Sequence, residues 1–403
     1  MDDTPISILF EGWLHFPHSY AIVNVYQLLA LSRFPGVTLY IDEKPPYRDT
    51  WKVCASLEHL MLTSEENHEL DAIPKWDGTQ HVDVVWRSMF PYDCSPFGDT
   101  PVAVQFTAEF GVLLPDYIKA PFTPLDMQCR CAQKLLLATT PSAWNVPALG
   151  NDGGRDSCVI VPHGCDTAKY FYDAEGRKKM RTSLNIPDKD YVYLNLGAMT
   201  GNKNIFALIT AFALILKDNP KAPIWLLLKG MDALYNSHDL VNSAASCSVA
   251  SGLITREFWL EVVSKRLVYL SGVFPYETMR HLYSAVDCYV TPYGAEGFNL
   301  PALEAEACGL PVIATTGGPT DDFLHPSVHI PLASEVADVQ QNGGKLLRVQ
   351  PITVKEAMVR AFEEREERAR ICRDIGPGYV ESAFSWKNAA TQLLRGLKSF
   401  INK

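Results

Sequence analysis

Two glutamates eight positions apart, Glu296 and Glu304, have a type and spacing that suggest chemistry. They lie in the stretch YGAEGFNLPALEAEACGLPVIATTGGP. Pro301 and Gly309 predict a helix over roughly 301–308, because proline is favoured in the first helical turn and glycine just beyond the last. Glu304 would lie in or just after the first turn, where the helix dipole favours an acid without any function.

Glu296 precedes this helix, in a Gly-Ala-Glu-Gly turn after the predicted strand 287–292. An acid in such a turn has no obvious role in stability, so a functional role is favoured for Glu296. The backbone amides of Phe298, Asn299 and Leu300 are predicted to form an anion site at the helix start. Two carboxylates beside an anion site suit a ligand with hydroxyls and phosphates, such as a nucleotide sugar.

Strands and helices alternate along the chain in two series, separated by the polar segment YDAEGRKKMRTSLNIPDKDY. The first series opens with the strand 6–12 and a helix for which Ser19 is the predicted N-cap. The second opens with the strand 191–197. Two such series predict an α/β fold of two Rossmann-like domains facing a cleft. Near the C-terminus, the charged run 355–374 predicts one solvated helix with i,i+4 ion pairs.

Composition excludes several classes of function. The net charge of −10 over 403 residues argues against a nucleic-acid binder. Ten scattered cysteines show no zinc-site spacing and are predicted to be reduced, which favours a cytoplasmic protein. The N-terminus does not resemble a signal peptide, and no apolar run reaches the length of a transmembrane helix. Peripheral membrane contact stays open, and nothing indicates the oligomeric state.

The segment EGFNLPALEAEACGLPVIAT resembles the E-G-F-G-L-P-x-L-E-A-M-A-C-G-x-P-V-I-A-T signature of family-4 retaining glycosyltransferases. TPSAW, VIVPHGCDTAKYF, NLGAMTGNKNIFALITAFALI and FSWKNAATQLL follow the same order as in that family. The resemblance implies a GT-B fold. It places an acceptor domain at 1–168 and a nucleotide-sugar domain at 169–384, with a C-terminal helix of about 385–403 packing back onto the first domain.

The resemblance also implies roles for donor-binding residues. Glu304 would bind the ribose hydroxyls, and Glu296 would lie under the transferred sugar. The amides of residues 298–300 would hold the diphosphate. Val273 and Phe274 would contact the base through their backbone.

The family's G-R-L-x-x-x-K-G loop begins at Gly197, and its lysine corresponds to Lys203, which would neutralise the leaving diphosphate. Ala198 stands where that loop has arginine. Lys229, at the end of the predicted strand 224–229, is the candidate replacement; the alternative is a strand-end lysine that reaches solvent. Asn204 replaces the final glycine of the loop and is predicted to cap the next helix.

In the N-terminal domain, His18 and Glu109 are the candidate catalytic residues. His18 begins the first helix and would either face the cleft or cap a turn. Glu109 follows the strand 102–106 and would contact the acceptor or the sugar.

The sequence therefore predicts a retaining, metal-independent hexosyltransferase without a cofactor. It would use a GDP- or UDP-sugar and a glycan, lipid-linked or protein-linked acceptor. The alternative, which the missing arginine supports, is a GT-B protein that binds a nucleotide sugar without transferring it. Such a protein would act as a sensor or partner subunit. An epimerase or phosphorylase ranks last, because those enzymes lack this glutamate pair in this context.

Overall fold

The computed structural model describes residues 4–51, 54, 56–58, 60–150, 154–339 and 343–402. The chain divides into two compact units. The N-terminal unit comprises Met1–Gly164, Gln340–Gly344 and Phe384–Lys403, and the C-terminal unit comprises Cys165–Val339 and Lys345–Ala383.

The strands are β1 (Ile6–Gly12), β2 (Val37–Glu43), β3 (Val84–Ser88), β4 (Val102–Gln105), β5 (Leu137–Thr140), β6 (Cys158–Ile160), β7 (Tyr191–Leu196), β8 (Ile224–Lys229), β9 (Leu267–Leu270), β10 (Cys288–Thr291), β11 (Val312–Thr315), β12 (His329–Leu332), β13 (Glu335–Val339) and β14 (Gly344–Arg348). The α-helices are α1 (Ser19–Ser32), α2 (Ser64–Asp71), α3 (Pro124–Ala132), α4 (Ala174–Ser183), α5 (Ile205–Asp218), α6 (Ser237–Ala250), the short α7 (Arg256–Phe258), α8 (Tyr276–Ala285), α9 (Leu300–Ala307), α10 (Pro351–Glu363), α11 (Arg365–Ala383) and α12 (Trp386–Ile401).

Each unit contains a six-stranded parallel sheet. The order is β2-β1-β3-β4-β5-β6 in the N-terminal unit and β12-β11-β10-β7-β8-β9 in the C-terminal unit; β13 and β14 form a separate pair. In both sheets the strand order reverses next to the first strand. Ligands of such sheets bind at the carboxyl ends of the strands on either side of that point. These are β1 and β3 in one unit and β7 and β10 in the other.

The helix α12 belongs to the N-terminal unit, as predicted. Ser385 caps it by accepting a hydrogen bond from the backbone N–H of Asn388 at 3.3 Å. Its buried face, which includes Trp386 and Leu393, joins the core formed by β1, β3 and α1. Trp386 stacks on Tyr26 with ring centroids 5.2 Å apart. The predicted return of the last helix to this unit is confirmed.

The prediction of one solvated helix over 355–374 is wrong. α10 ends at Glu363 and α11 begins at Arg365. α10 packs on α5, whereas α11 packs on α9. Both helices bury apolar side chains, and Met358 and Cys372 are completely inaccessible to solvent. Charged residues of both signs continue across the break, so their pattern did not reveal it.

Candidate functional site

In the C-terminal unit, the loops after β7 and β10 are joined by backbone and amide hydrogen bonds. The carbonyl of Asn202 accepts a bond of 2.7 Å from the N–H of Gly294, and its side-chain amide donates to the carbonyl of Ala295 at 3.0 Å. Gly197, with φ of +147°, opens the first loop in a backbone region that favours glycine. The two loops therefore form one surface at the switch point of the sheet.

Lys203 and Glu296 lie on this surface and form an ion pair between Nζ and Oε1. The sequence predicted both residues as part of a donor site but did not predict this contact. Glu296 is almost completely buried and Lys203 is partly exposed. This ion pair links the side chain of Lys203, in the loop after β7, to Glu296, in the loop after β10.

Two asparagines in these loops adopt left-handed backbone conformations. Asn204 has φ 53° and ψ 42°, and Asn299 has φ 83° and ψ 64°. Both stand where the family pattern has glycine, and asparagine tolerates this region better than most other residues. Asn204 occupies the N-cap position of α5, but its side chain donates to the carbonyl of Val349 at 3.2 Å rather than capping the helix. Asn299 donates to the hydroxyl of Thr291 at 2.9 Å.

Glu304 is the fifth residue of α9 and lies just after its first turn, within the range predicted from the sequence. No acid occupies the first turn itself, where the dipole effect is strongest. Burial raises the pKa of Glu304 to about 7, against the opposing effects of bonds from Tyr283 and Tyr170 and of the charge on Lys229. The hydroxyl of Tyr283 donates to Oε2 at 2.6 Å, which orients the carboxyl group.

Lys229, at the end of β8, is only 4% exposed, so the alternative of a lysine that reaches solvent is wrong. Its Nζ lies 5.2 Å from the ring centroid of Phe274. Burial lowers the pKa of Lys229 to about 8, although the charges of Glu304 and Asp232 act in the opposite direction. β8 pairs with β7, and the N–H of Gly197 donates to the carbonyl of Lys229 at 3.1 Å.

The remaining predicted donor-binding residues lie in two loops of the same unit. Val273 and Phe274 follow β9, after Gly272 with φ of +104°. The ring of Phe298 stacks on Phe323 with centroids 4.5 Å apart, so this side chain has a packing role. Leu300 is the first residue of α9. The roles predicted for the backbone groups of these residues remain predictions.

In the N-terminal unit, His18 rather than Ser19 is the N-cap of α1: its Nδ1 accepts a bond of 3.2 Å from the backbone N–H of Tyr20. The imidazole stacks on Trp51 at 5.1 Å and meets the edge of Trp13 at 5.4 Å. Burial lowers the pKa of His18 to about 4. Since Nδ1 accepts a hydrogen bond, the neutral ring carries its proton on Nε2.

Glu109 lies near the same cluster. Its carbonyl accepts a bond of 2.8 Å from the indole N–H of Trp144. The hydroxyl of Tyr20 contacts those of Tyr92 and Thr107, each at 2.8 Å. Burial raises the pKa of Tyr20 well above its usual range, and the charge of Glu109 adds to the effect. The structure thus places His18 and Glu109 near one aromatic cluster, and all the predicted donor-binding residues in the other unit.

A buried ionic network at the ends of β1 and β3 was not predicted. Arg87 donates from Nε to Glu11 at 2.5 Å and from Nη1 to the carbonyl of Ser95 at 2.6 Å. Asp93 accepts a bond of 2.7 Å from Lys119. Burial would raise the pKa of Asp93, but its bonds with Lys119 and Ser95 lower it to about 2. The sequence signal for this network was the pair of opposite charges, Glu11 and Arg87, near the ends of two neighbouring strands.

No group of three or more His, Cys, Asp or Glu side chains among the described residues is arranged to hold a metal ion. Within the same residues, no helix is long and apolar enough to span a bilayer.

Residues 190–347 match the family model described as Glycosyl transferases group 1. The segment that is similar to group 1 glycosyl transferases therefore covers most of the C-terminal unit. This match confirms the family resemblance seen in the sequence, and the group 1 domain contains Lys203, Lys229, Glu296 and Glu304.

Curated relatives extend beyond the group 1 domain. The chain is 26% identical over 263 residues to the mannosylfructose-phosphate synthase of Agrobacterium fabrum, a match that covers 64% of this chain and 52% of the relative. It is 24% identical over 252 residues to a D-inositol 3-phosphate glycosyltransferase of Corynebacterium urealyticum, covering 62% and 53% of the two chains. The chain thus spans about half the length of these relatives.

Solved structures confirm the fold. Anabaena HepE, crystallised with UDP and glucose, superimposes with a TM-score of 0.66 at 14% identity, covering 98% of this chain and 100% of HepE. The sucrose-phosphate synthase of Thermosynechococcus elongatus gives a TM-score of 0.63 at 17% identity, covering 98% and 99%. The predicted GT-B fold is confirmed.

Proposed function

We propose that the protein is a retaining glycosyltransferase that moves a hexosyl group from a nucleotide-diphosphate sugar to a hydroxyl acceptor. The observation that carries this proposal is the gathering of two lysines and two glutamates around the switch point of a group 1 domain. Lys203 and Glu296 are in direct contact there, and Lys229 lies in the field of Glu304. The names of two curated relatives, a mannosylfructose-phosphate synthase and a D-inositol 3-phosphate glycosyltransferase, support the same class of reaction.

The donor diphosphate would be held by positive charge from the protein. Departure of the nucleoside diphosphate develops negative charge, which preorganised cations and helix N-termini stabilise. Lys203 and the amides at residues 298–300 supply these groups. We therefore propose that the reaction needs no metal ion and no cofactor; activity that persists after dialysis against a chelator would support this, and loss that Mg²⁺ or Mn²⁺ restores would refute it.

The remaining predicted residues fix the sugar and the nucleoside. Glu304, oriented by Tyr283, would accept hydrogen bonds from the ribose hydroxyls. Glu296 would lie beside the transferred sugar, and the backbone at Val273 and Phe274 would contact the base. The choice between guanine and uracil stays open, because backbone contacts do not select strongly.

Retention would proceed by attack on the face from which the diphosphate departs. The bond between the anomeric carbon and the phosphate oxygen breaks, and a bond from that carbon to the acceptor oxygen forms. The acceptor proton passes to the departing phosphate oxygen. We propose that His18 and Glu109 of the N-terminal unit position the glycan, lipid-linked or protein-linked acceptor. Because Nδ1 of His18 accepts a hydrogen bond, His18 would act there as a donor rather than a base. The cytoplasmic location stays a prediction.

Glu296→Ala provides the first test. We expect donor hydrolysis and sugar transfer to fall by at least about 100-fold, the effect of removing a group that acts at the reacting centre. Glu257→Ala, an exposed glutamate of the same unit, is the control and should leave both rates unchanged. Unchanged transfer in Glu296→Ala would remove Glu296 from the chemistry. Donor binding without turnover against a broad acceptor panel would instead favour the binding-only alternative.

A further inference from the structure

The buried ammonium of Lys229 lacks a polar partner. Within the described part of the chain, its Nζ makes no hydrogen bond or ion pair, and it lies 5.2 Å from the ring centroid of Phe274. Only 4% of the residue is exposed, so water has narrow access to the ammonium. Buried charges in proteins are normally paired, because an isolated one is costly to remove from water.

The carboxylates around Lys229 have other partners. Glu304, from α9, accepts a bond from Tyr283. Asp232, in the segment after β8, accepts bonds from Tyr269 of β9 and Ser271, and from the backbone N–H of His238. Both carboxylates attract the ammonium, but neither lies within ion-pair distance of it.

Lys203 is not in the same situation, since Glu296 already neutralises its ammonium. At the position where the family loop has arginine, this chain has Ala198, whose carbonyl accepts a bond of 2.7 Å from Ser237. The backbone bond between Gly197 and Lys229 places Lys229 beside that position. The only buried, unpaired cation in the described part of this loop region is therefore adjacent to the lost arginine.

We infer that Lys229 supplies the charge that the missing arginine would have brought to the donor diphosphate, and that donor affinity consequently depends on pH. The inference rests on the proposed function. An ammonium that is unpaired and buried when the ligand is absent gains a counter-charge when a diphosphate binds. An arginine would stay charged at every accessible pH, whereas Lys229 loses its proton as the pH rises through about 8.

The test measures the affinity of the full chain for UDP and GDP by titration calorimetry, from about pH 7.5 to about pH 9.5. In this range the terminal phosphate, with a second pKa of about 6, is already ionised. For the wild type we expect the Kd of the bound nucleotide to rise by up to about tenfold per pH unit above pH 8. Lys229→Arg should keep the affinity and flatten this rise. Any titration of the base itself is common to both proteins and cancels in their difference.

Lys229→Met should bind the nucleotide at least about tenfold more weakly at pH 7.5, with little pH dependence. The same variant should melt at a higher temperature than the wild type when no ligand is present, because an unpaired buried charge is removed. A merely structural lysine would not produce these opposite changes. Glu304→Gln tests whether the nearby carboxyl of Glu304, whose pKa is about 7, causes the pH dependence instead of Lys229. This variant should retain the alkaline rise in Kd.

Two outcomes overturn the inference. If the wild type binds UDP or GDP with a Kd that is flat to pH 9.5, or if Lys229→Met binds as tightly as the wild type, Lys229 does not hold the diphosphate and the proposed function still stands. If the wild type binds neither nucleotide at any pH, the proposed function itself fails and the inference falls with it.

Discussion

Arg87 and Lys229 invite comparison because each is a cation at the carboxyl end of a strand, in different units, and each is 4% exposed. Arg87 is surrounded by acceptors: Glu11, Asp93 and the carbonyl of Ser95 all receive its N–H groups. Lys229 has one aromatic ring and two carboxylates that are bound elsewhere. Burial alone therefore does not identify a binding residue. We propose that the number of partners does, because a buried cation without partners would gain from binding an anion, whereas one that already has partners would not.

The largest expected loss of stability is at Arg87. Arg87→Met leaves Glu11 and Asp93 with less compensation in a buried position, and removing one partner of a buried ion pair costs about 3–5 kcal/mol. We expect the lower end of this range, because Lys44 and Lys119 still contact one carboxylate each. Urea unfolding of the full chain measures it.

Lys44→Met is the control for that experiment. Lys44 bridges Glu11 and Asp42 but is about a third exposed, so its removal should cost roughly 1 kcal/mol or less. If Arg87→Met proved as mild as Lys44→Met, the contrast between satisfied and unsatisfied cations would lose its meaning.

Glu306 extends this comparison of buried charged groups to an acid. It is completely inaccessible to solvent; Oε1 accepts a bond of 3.0 Å from the N–H of His325, and Oε2 has no partner among the described residues. Burial raises the pKa of Glu306 to about 8. A raised pKa in the folded state means that the acid stabilises the fold fully below its unfolded pKa of 4.5, and that this contribution is lost as the pH rises towards 8.

Glu306→Met introduces the residue of the family signature and removes this ionisation. We expect the variant to gain stability over the wild type as the pH rises from about 5 to about 8, by roughly 2–4 kcal/mol at about pH 8. Thermal unfolding across this range measures the difference, and Glu306→Gln, which keeps the shape and an acceptor for His325, should show a smaller gain with the same trend. A difference that does not change with pH would mean that Glu306 does not titrate there. Glu306 would then be a buried acid with one bonded oxygen whose missing partner does not affect the pH dependence of stability.

How much the sequence revealed differs between the fold and the site. Two series of apolar runs were enough to predict two parallel α/β units. Each strand or helix shows its apolar pattern within a short stretch of sequence, so no distant contact is needed to recognise it. The apolar run VDVVW covers residues 82–86, but β3 spans Val84–Ser88. Asp83 explains part of this shift, since its carboxylate, rather than its backbone alone, bonds to Ser7. Such a contact between residues 76 positions apart leaves no local signal.

The same limit applies to the site. The motif predicted Glu296 and Lys203 separately, but their ion pair joins residues 93 positions apart. Whether Lys229 reached solvent or faced inward could not be read from its place at a strand end; burial by Phe274 and the neighbouring loops decides it. The left-handed conformation of Asn299 was, by contrast, readable from the glycine of the family pattern, because backbone geometry limits which residues fit there.

The smallest expected effect concerns the paired lysine of the site. Glu296→Gln removes the charge that holds Lys203 and also the repulsion between Glu296 and an incoming diphosphate. We expect UDP or GDP to bind about 3–10-fold more tightly, a change of about 1 kcal/mol. Titration calorimetry at about pH 7.5 measures this, and the double variant Lys203→Met/Glu296→Gln tests its origin: the gain should disappear there if Lys203 causes it. Equal or weaker binding by Glu296→Gln would show that the ion pair does not compete with the ligand. In that case the distinction between a paired Lys203 and an unpaired Lys229 would have no consequence for donor binding.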